Sequence, residues 1–314
     1  MPQKKQHIDL SDPNLSSLIL RLAIPSVVGL SIHALQQVVN AIFVGALGAQ
    51  ATAAVSMTLP IMVLLAAAAQ GIGVGTASFI SRHLGAREYL EASRGASTAL
   101  ALTAPIGIIV TVALLPSLPA IFAILGATPT IMPVALDYAG TLLFGNTLML
   151  LNIVSGFIVR AEGDTRFSMW AMLTSFLLNA VLDPVFIFLF DLGVRGAALA
   201  TLVSQIAAIG LYIGYFAKLG GTVLVRISHI SLRADRIRQL ALVGAPATMT
   251  SILSALAVML LYGAAAPFGD DSIELSPKVG DGGNRKGGIS WGCLTPPLLH
   301  RRSDMPCPTI TSSI

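Results

Sequence analysis

Residues 51–80 read ATAAVSMTLPIMVLLAAAAQGIGVGTASFI, thirty positions without one Asp, Glu, Lys or Arg. A helix needs about 20 apolar residues to cross the hydrocarbon of a bilayer, so this stretch predicts a membrane-spanning helix. Six further blocks of the same kind occupy 18–47, 96–118, 133–159, 167–190, 194–216 and 240–266. Each is a continuous run, whereas barrel strands would be shorter and would alternate in polarity. Composition agrees, because mean hydropathy is +0.80 and only 11% of residues are charged. An ordinary soluble domain carries roughly 25% charged residues, enough to cover a water-facing surface. The expected fold class is therefore an all-α integral membrane protein with seven spans.

Basic residues resist translocation, so their distribution sets orientation. With the N-terminus in the cytoplasm, Lys4, Lys5, Arg21, Arg82, Arg87 and Arg94 fall inside, as do Arg160, Arg166, Lys218, Arg226, Arg233, Arg236 and Arg238. Among the basic residues of the seven blocks and their connecting loops, Arg195 alone falls outside. The net charge of +4 thus reports topology. Nucleic-acid binding is not expected, since the basic residues are scattered over separate loops. The polar stretch 1–17 and the length of the first block argue for a retained N-terminus over a signal peptide. Both cysteines, Cys293 and Cys307, lie beyond the last block, so the bundle is expected to hold no disulfide or thiolate metal site.

The chain repeats itself once. Leu22-Ala-Ile-Pro25-Ser opens the first block and Val243-Gly-Ala-Pro246-Ala the seventh, an offset of 221 residues that also carries Ala46–Gln50 onto Pro267–Asp271. An even number of intervening helices makes such repeats parallel, as in transporters built from two like halves. A second half of equal length would take a chain to about 440 residues. After Asp271 the text loses helical period and becomes rich in Gly, Pro and Arg. The expectation is an interrupted gene product with a disordered, out-of-frame tail over 272–314; the alternative is a genuine disordered extension.

A carboxylate at the centre of a spanning helix costs about 2.5–3.5 kcal/mol on insertion scales, so Asp183 calls for a reason. Ser175, Asn179 and Asp183 are spaced by four and share a helix face. Pro184 cannot donate a backbone hydrogen bond, which frees a carbonyl one turn earlier and lets the helix bend beside the acid. An acid so placed is suited to exchanging a proton near neutral pH, or to ligating Na⁺ together with Asn179. The alternative is a structural acid held by neighbouring amides. His33, Gln36, Gln37 and Asn40 form a polar stripe on the first helix, facing either a wet cavity or partner helices that they bond. Asn146, Asn152 and Ser155 on the fourth block, Thr201, Ser204 and Gln205 on the sixth, and Tyr138 beside Asp137 are further candidates. Gly71-x-Gly73-x-Gly75 has no preceding strand, so close helix packing or local flexibility explains it better than a nucleotide loop.

Five motifs in order resemble the multidrug and toxic compound extrusion (MATE) family of cation-coupled antiporters, most like its DinF- or MepA-like bacterial branches. They are Ile24-Pro25 with Asn40-Ala-Ile-Phe-Val-Gly45-Ala-Leu-Gly48; Gln70-Gly-Ile-Gly-Val-Gly75 running into Ile80-Ser-Arg82-His-Leu-Gly85; Arg160-Ala-Glu-Gly-Asp164-Thr-Arg166; Asn179-Ala-Val-Leu-Asp183-Pro184; and Gly196-Ala-Ala-Leu-Ala-Thr201-Leu-Val-Ser-Gln205. The resemblance implies the six-helix N-terminal lobe (1–217) of a twelve-helix, two-lobed transporter. A cytoplasmic interlobe linker (218–239) and the first helix of the second lobe (240–271) would follow. It also implies a multi-pass protein of a bacterial or archaeal cytoplasmic (inner) membrane that is not an enzyme. Its substrates would be small organic cationic or amphipathic compounds exported against H⁺ or Na⁺, with no cofactor beyond that coupling ion.

The residues implied are Asp183, Asn179 and Asn40 for coupling, Gln36, Tyr138, Asn152 and Thr201 lining the cavity, and Pro25 and Pro184 as hinges. The family motif usually has Asp where this chain has Asn40. Asparagine takes up no proton, so a two-acid scheme would reduce here to Asp183 with Asn40 as a neutral ligand. Transport by this chain alone is not expected, since alternating access needs two lobes. Two rivals fit less well. A lipid-linked oligosaccharide flippase would be expected to carry Lys or Arg in its cavity; a seven-helix receptor or photoreceptor has no place for the Pro25/Pro246 repeat, and the seventh block has no lysine for a retinal Schiff base.

Overall fold

Long apolar runs become long helices because only an intrahelical ladder satisfies the backbone inside hydrocarbon. In the computed structural model, which describes residues 15–218, 221–231 and 233–265, these are α1 (Leu15–Gly45), α2 (Ala49–Gly85), α3 (Tyr89–Leu114), α4 (Leu118–Ile124), α5 (Met132–Phe144), α6 (Asn146–Ala161), α7 (Thr165–Pro184), α8 (Gly193–Lys218) and α9 (Ala234–Ala265). No strand forms among the described residues. Among the described residues, six helices are long and apolar enough to cross a membrane, and α5 with α6 makes a seventh span if the pair is counted as one. The proposed tail, 272–314, lies outside the described residues, as do Lys4 and Lys5.

The fourth apolar block is not one straight helix. It bends by 51° between α5 and α6, at Gly145. A Cβ at Gly145 would fall 1.8 Å from Leu202 Cδ2 of α8, so a side chain there would make Leu202 move. A second irregularity follows α7, where Val185–Leu189 winds into a π-helical turn directly after Pro184. Proline leaves an acceptor without its donor, and the wider turn is one way a helix absorbs that defect. Pro25, by contrast, is buried within an unbroken α1.

α2 is the central helix, packed by α3, α5, α6 and α9. Its glycines are contact points. A Cβ at Gly75 would lie 2.1 Å from the Leu240 carbonyl oxygen of α9, and one at Gly244 would lie 2.1 Å from the Gly71 carbonyl oxygen. Gly73, on the opposite face, meets the Phe157 ring of α6. Close packing is thus the role the geometry gives the glycine run.

The segment between α8 and α9 is laced to the start of α3. Leu224 N–H donates to Ser93 Oγ, Arg226 N–H to Ser97 Oγ and Ser231 N–H to Thr98 Oγ1. Arg236, only 7% exposed, bonds Glu91 Oε2 at 2.6 Å. That ion pair carries polar sequence into helix: α9 begins at Ala234, six residues before the apolar block does. The expected linker, 218–239, is correspondingly shorter than its polar text suggests.

Candidate functional site

The i, i+4 spacing of Asn179 and Asp183 places both on the inner face of α7, where each is buried and Asp183 has no exposed surface. Asn179 Nδ2 donates to Asp183 Oδ1 at 3.2 Å, and Gln36 Nε2 of α1 donates to Asn179 Oδ1, also at 3.2 Å. The chain Gln36–Asn179–Asp183 therefore joins α1 to α7 and uses one carboxyl oxygen of Asp183. The other, Oδ2, is buried with no hydrogen-bond partner among the described residues, and so is Oδ1 of Asn40. Tyr138 bonds the Asn40 side chain and lies within electrostatic reach of Asp183. It is itself 5% exposed, held in a core with Val44, Val55, Ile187 and Ala197. The tyrosine closes the site as a wall; it does not face open space.

An unpartnered carboxyl oxygen buried away from solvent is costly unless it binds a proton or a cation. Asp183 Oδ2 is a hard oxygen donor of the kind that suits either H⁺ or Na⁺, and Asn40 Oδ1 is a second unpartnered one. No group of three or more His, Cys, Asp or Glu side chains able to hold a transition metal occurs among the described residues. The π-helical turn begins two residues after the acid, a distortion frequent at functional sites.

Other predicted residues fall elsewhere. Asn152 Nδ2 donates to the Gln205 carbonyl at 3.0 Å and ties α6 to α8, and Thr201 returns its hydroxyl to Ala197 in its own helix. Both are half-buried. Ser175 reaches the Ser204 carbonyl, so the Ser175–Asn179–Asp183 face continues into α8. Asn146 departs from expectation: it is 2% exposed and donates to Gly107 O and Thr111 Oγ1, fastening α6 to α3. Of the α1 stripe, Gln36 and Asn40 are half-buried while His33 and Gln37 are exposed. Asp137 pairs with Arg195 at 2.8 Å, both largely exposed, an ion pair worth at most about 1 kcal/mol.

Sequence reasoning passed over Glu162, between α6 and α7 and outside the spanning segments. It is 7% exposed and accepts from Thr222 N–H at 3.0 Å, with the Tyr215 hydroxyl at 3.5 Å, so it holds the segment after α8 against the bundle. Nearby, Gly163 takes φ +89° and Asp164 caps α7 by accepting from Phe167 N–H. Burial pushes the Glu162 carboxyl from its ordinary 4.5 up to about 7, against the opposing pull of the Val223 and Thr222 amides and the Tyr215 hydroxyl. Its folded pKa exceeds the unfolded one, so the native state binds the extra proton between them. The associated stability is complete below pH 4.5 and is lost as pH rises through 7, a change of about 3 kcal/mol. Glu162→Gln should flatten the fall in unfolding midpoint between pH 5 and pH 8 in detergent. An unchanged slope would show that Glu162 does not set it.

Three comparisons place this geometry among known proteins. The MatE family signature matches residues 25–185. Multidrug export protein MepA of Staphylococcus aureus (strain MSSA476) is 31% identical over 256 residues, covering 81% of this chain and 57% of that protein. The chain thus spans a little over half the length of the curated relatives it matches. Among solved structures, an inward-facing multidrug resistance MATE family transporter of the MOP superfamily superimposes with TM-score 0.75 and 32% identity, over 82% of this chain and 59% of the other. A MOP superfamily transporter from Pyrococcus furiosus, whose binding pocket is described as reversed in polarity, gives TM-score 0.71 and 34% identity over 75% and 52%.

Proposed function

Because the chain belongs to the MatE family of transporters, we propose that it supplies the ion-coupling lobe of a cation-coupled exporter of drugs or toxic organic compounds, oriented with its N-terminus in the cytoplasm. One observation carries the reading: Asp183 is fully buried at the end of the Gln36–Asn179 chain, with an oxygen that no donor among the described residues satisfies. The coupling ion, H⁺ or Na⁺, is cargo here. It would neutralise Asp183 and let α1 and α7 close on each other, and an organic cation would compete for the same negative charge.

The basic residues Arg82, Arg87, Arg94 and Arg226 all lie at one end of the bundle, which supports that end as the cytoplasmic one. The oligosaccharide-flippase rival draws no support from this site. The side chains identified around Asp183 are amides and a phenol, with no cation to meet a phosphate.

The test is binding by the purified chain. Ethidium fluorescence should report a bound organic cation that Na⁺ or acid displaces, with competition lost in Asp183→Asn. Ethidium binding indifferent to Na⁺, to pH and to Asp183 would overturn the coupling role. In cells, an efflux rate unchanged by Asp183→Asn would remove the acid from the mechanism.

A further inference from the structure

A groove of about 740 Å³ runs between α2, α3 and α9, on the flank of the bundle away from Asp183. None of its lining residues belongs to α1, α7 or α8. Small residues make its floor, among them Gly71, Ala99 and Gly244, while Leu102, Leu242 and Met249 form its walls. The groove opens outward: Leu242 and Met249 are 64% and 61% exposed. Thr248 is its one polar lining residue, and that hydroxyl is turned back onto the Gly244 carbonyl of its own helix. Nothing along the groove bonds a peptide or a sugar, and no side chain there would neutralise an organic cation.

Its shape narrows the choice further. The α9 lining runs from Ile237 to Ile252, which at 1.5 Å per residue is about 22 Å along the helix. That exceeds the roughly 15 Å of one leaflet's hydrocarbon. A long, apolar occupant lying along α9 fits it. At the end of the bundle that carries the basic loops, Arg238 stands one turn before Leu242 on the same stripe, 238–242–245–249. Arg238 is exposed and forms no ion pair among the described residues. Its neighbours are committed, since Glu91 takes both Arg94 and Arg236. The acid nearest it in sequence is Asp235, exposed in the first turn of α9. A guanidinium at the mouth of an apolar groove matches a phosphodiester joined to an acyl chain.

We propose that this groove is a phospholipid site, with one acyl chain between α3 and α9 and the phosphate on Arg238. The site is separate from the coupling residues and stands whether or not the chain transports.

The test uses the whole chain reconstituted in phosphatidylglycerol and phosphatidylethanolamine, re-extracted in mild detergent and read by native mass spectrometry. Wild type should retain one phospholipid. Arg238→Gln should weaken retention about tenfold, the loss of one charge-assisted phosphate contact, and Ala245→Phe, which plugs the groove, should abolish it. Equal retention by all three would overturn the site. A second readout does not depend on surviving extraction: brominated acyl chains should quench an indole at Leu242→Trp more than one at Leu253→Trp, equally exposed but outside the groove. The excess should vanish with Arg238→Gln. Equal quenching at the two positions, or displacement of the bound lipid by ethidium, would also refute it, the latter assigning the groove to transported substrate.

Discussion

Asp183→Asn should leave the lobe folded yet blind to its coupling ion. The substitution is nearly isosteric, and the new amide oxygen still accepts from Asn179 Nδ2, so the Gln36–Asn179 link between α1 and α7 survives. What disappears is the negative charge on the unpartnered Oδ2. A ligand at 100 times its Kd stabilises the native state by about 2.7 kcal/mol, and that increment should be present in wild type and absent in the variant. The measurement is the unfolding midpoint in detergent, comparing sodium with choline chloride at alkaline pH, then acid with alkaline buffer without sodium. A sodium increment confined to wild type identifies Na⁺ as the ion; a pH increment larger in wild type than in the variant, which keeps the share due to Glu162, identifies H⁺. Asn40→Asp is the companion experiment. It restores a second acid beside Tyr138 and should steepen the ion response, since two charges would then need neutralising. Identical responses in wild type and Asp183→Asn would exclude the acid as the ion site.

The helices were legible in the sequence because the requirement that makes them is local. A backbone in hydrocarbon must bond itself, so about 20 apolar residues declare a span without reference to any neighbour. The polar face of α7 was legible for a similar reason: residues four apart stack, and the Asn179–Asp183 bond realises that stacking. Tertiary partners were not. Nothing near Asn179 names Gln36, 143 positions away, as its donor. The bend at Gly145 is equally silent, because hydropathy is continuous through it and the side chain that packs there, Leu202, is on another helix. Glu162 was hidden for the opposite reason. An acid in a polar loop looks solvated until the segment after α8 folds over it and presents Thr222 N–H. The polar start of α9 was not legible because hydropathy measures membrane affinity, whereas residues 234–239 are helical with Arg236 paired to Glu91.

The α2–α9 contact carries the second large effect. A Cβ built on Gly75 or Gly244 falls 2.1 Å from a carbonyl oxygen of the facing helix, and no rotamer relieves a clash between two backbones. The helices must separate, forfeiting dispersion along the whole contact. Overpacking of this kind costs about 1–3 kcal/mol per site. Gly75→Ala and Gly244→Ala should each lower the unfolding midpoint by several degrees, at about 2–4 °C per kcal/mol for a unit of this size. The two together should be less than additive, because a helix lifted by one methyl has already made room for the other. Gly140→Ala is the control of opposite sign. Its added methyl meets nothing within 4 Å inside α5, so the helix propensity of alanine should hold or raise stability by up to about 1 kcal/mol. A glycine run serving flexibility alone would make all three substitutions stabilising. A run serving contact makes two of them destabilising, and only then does α2 seat α9 by direct approach of their backbones.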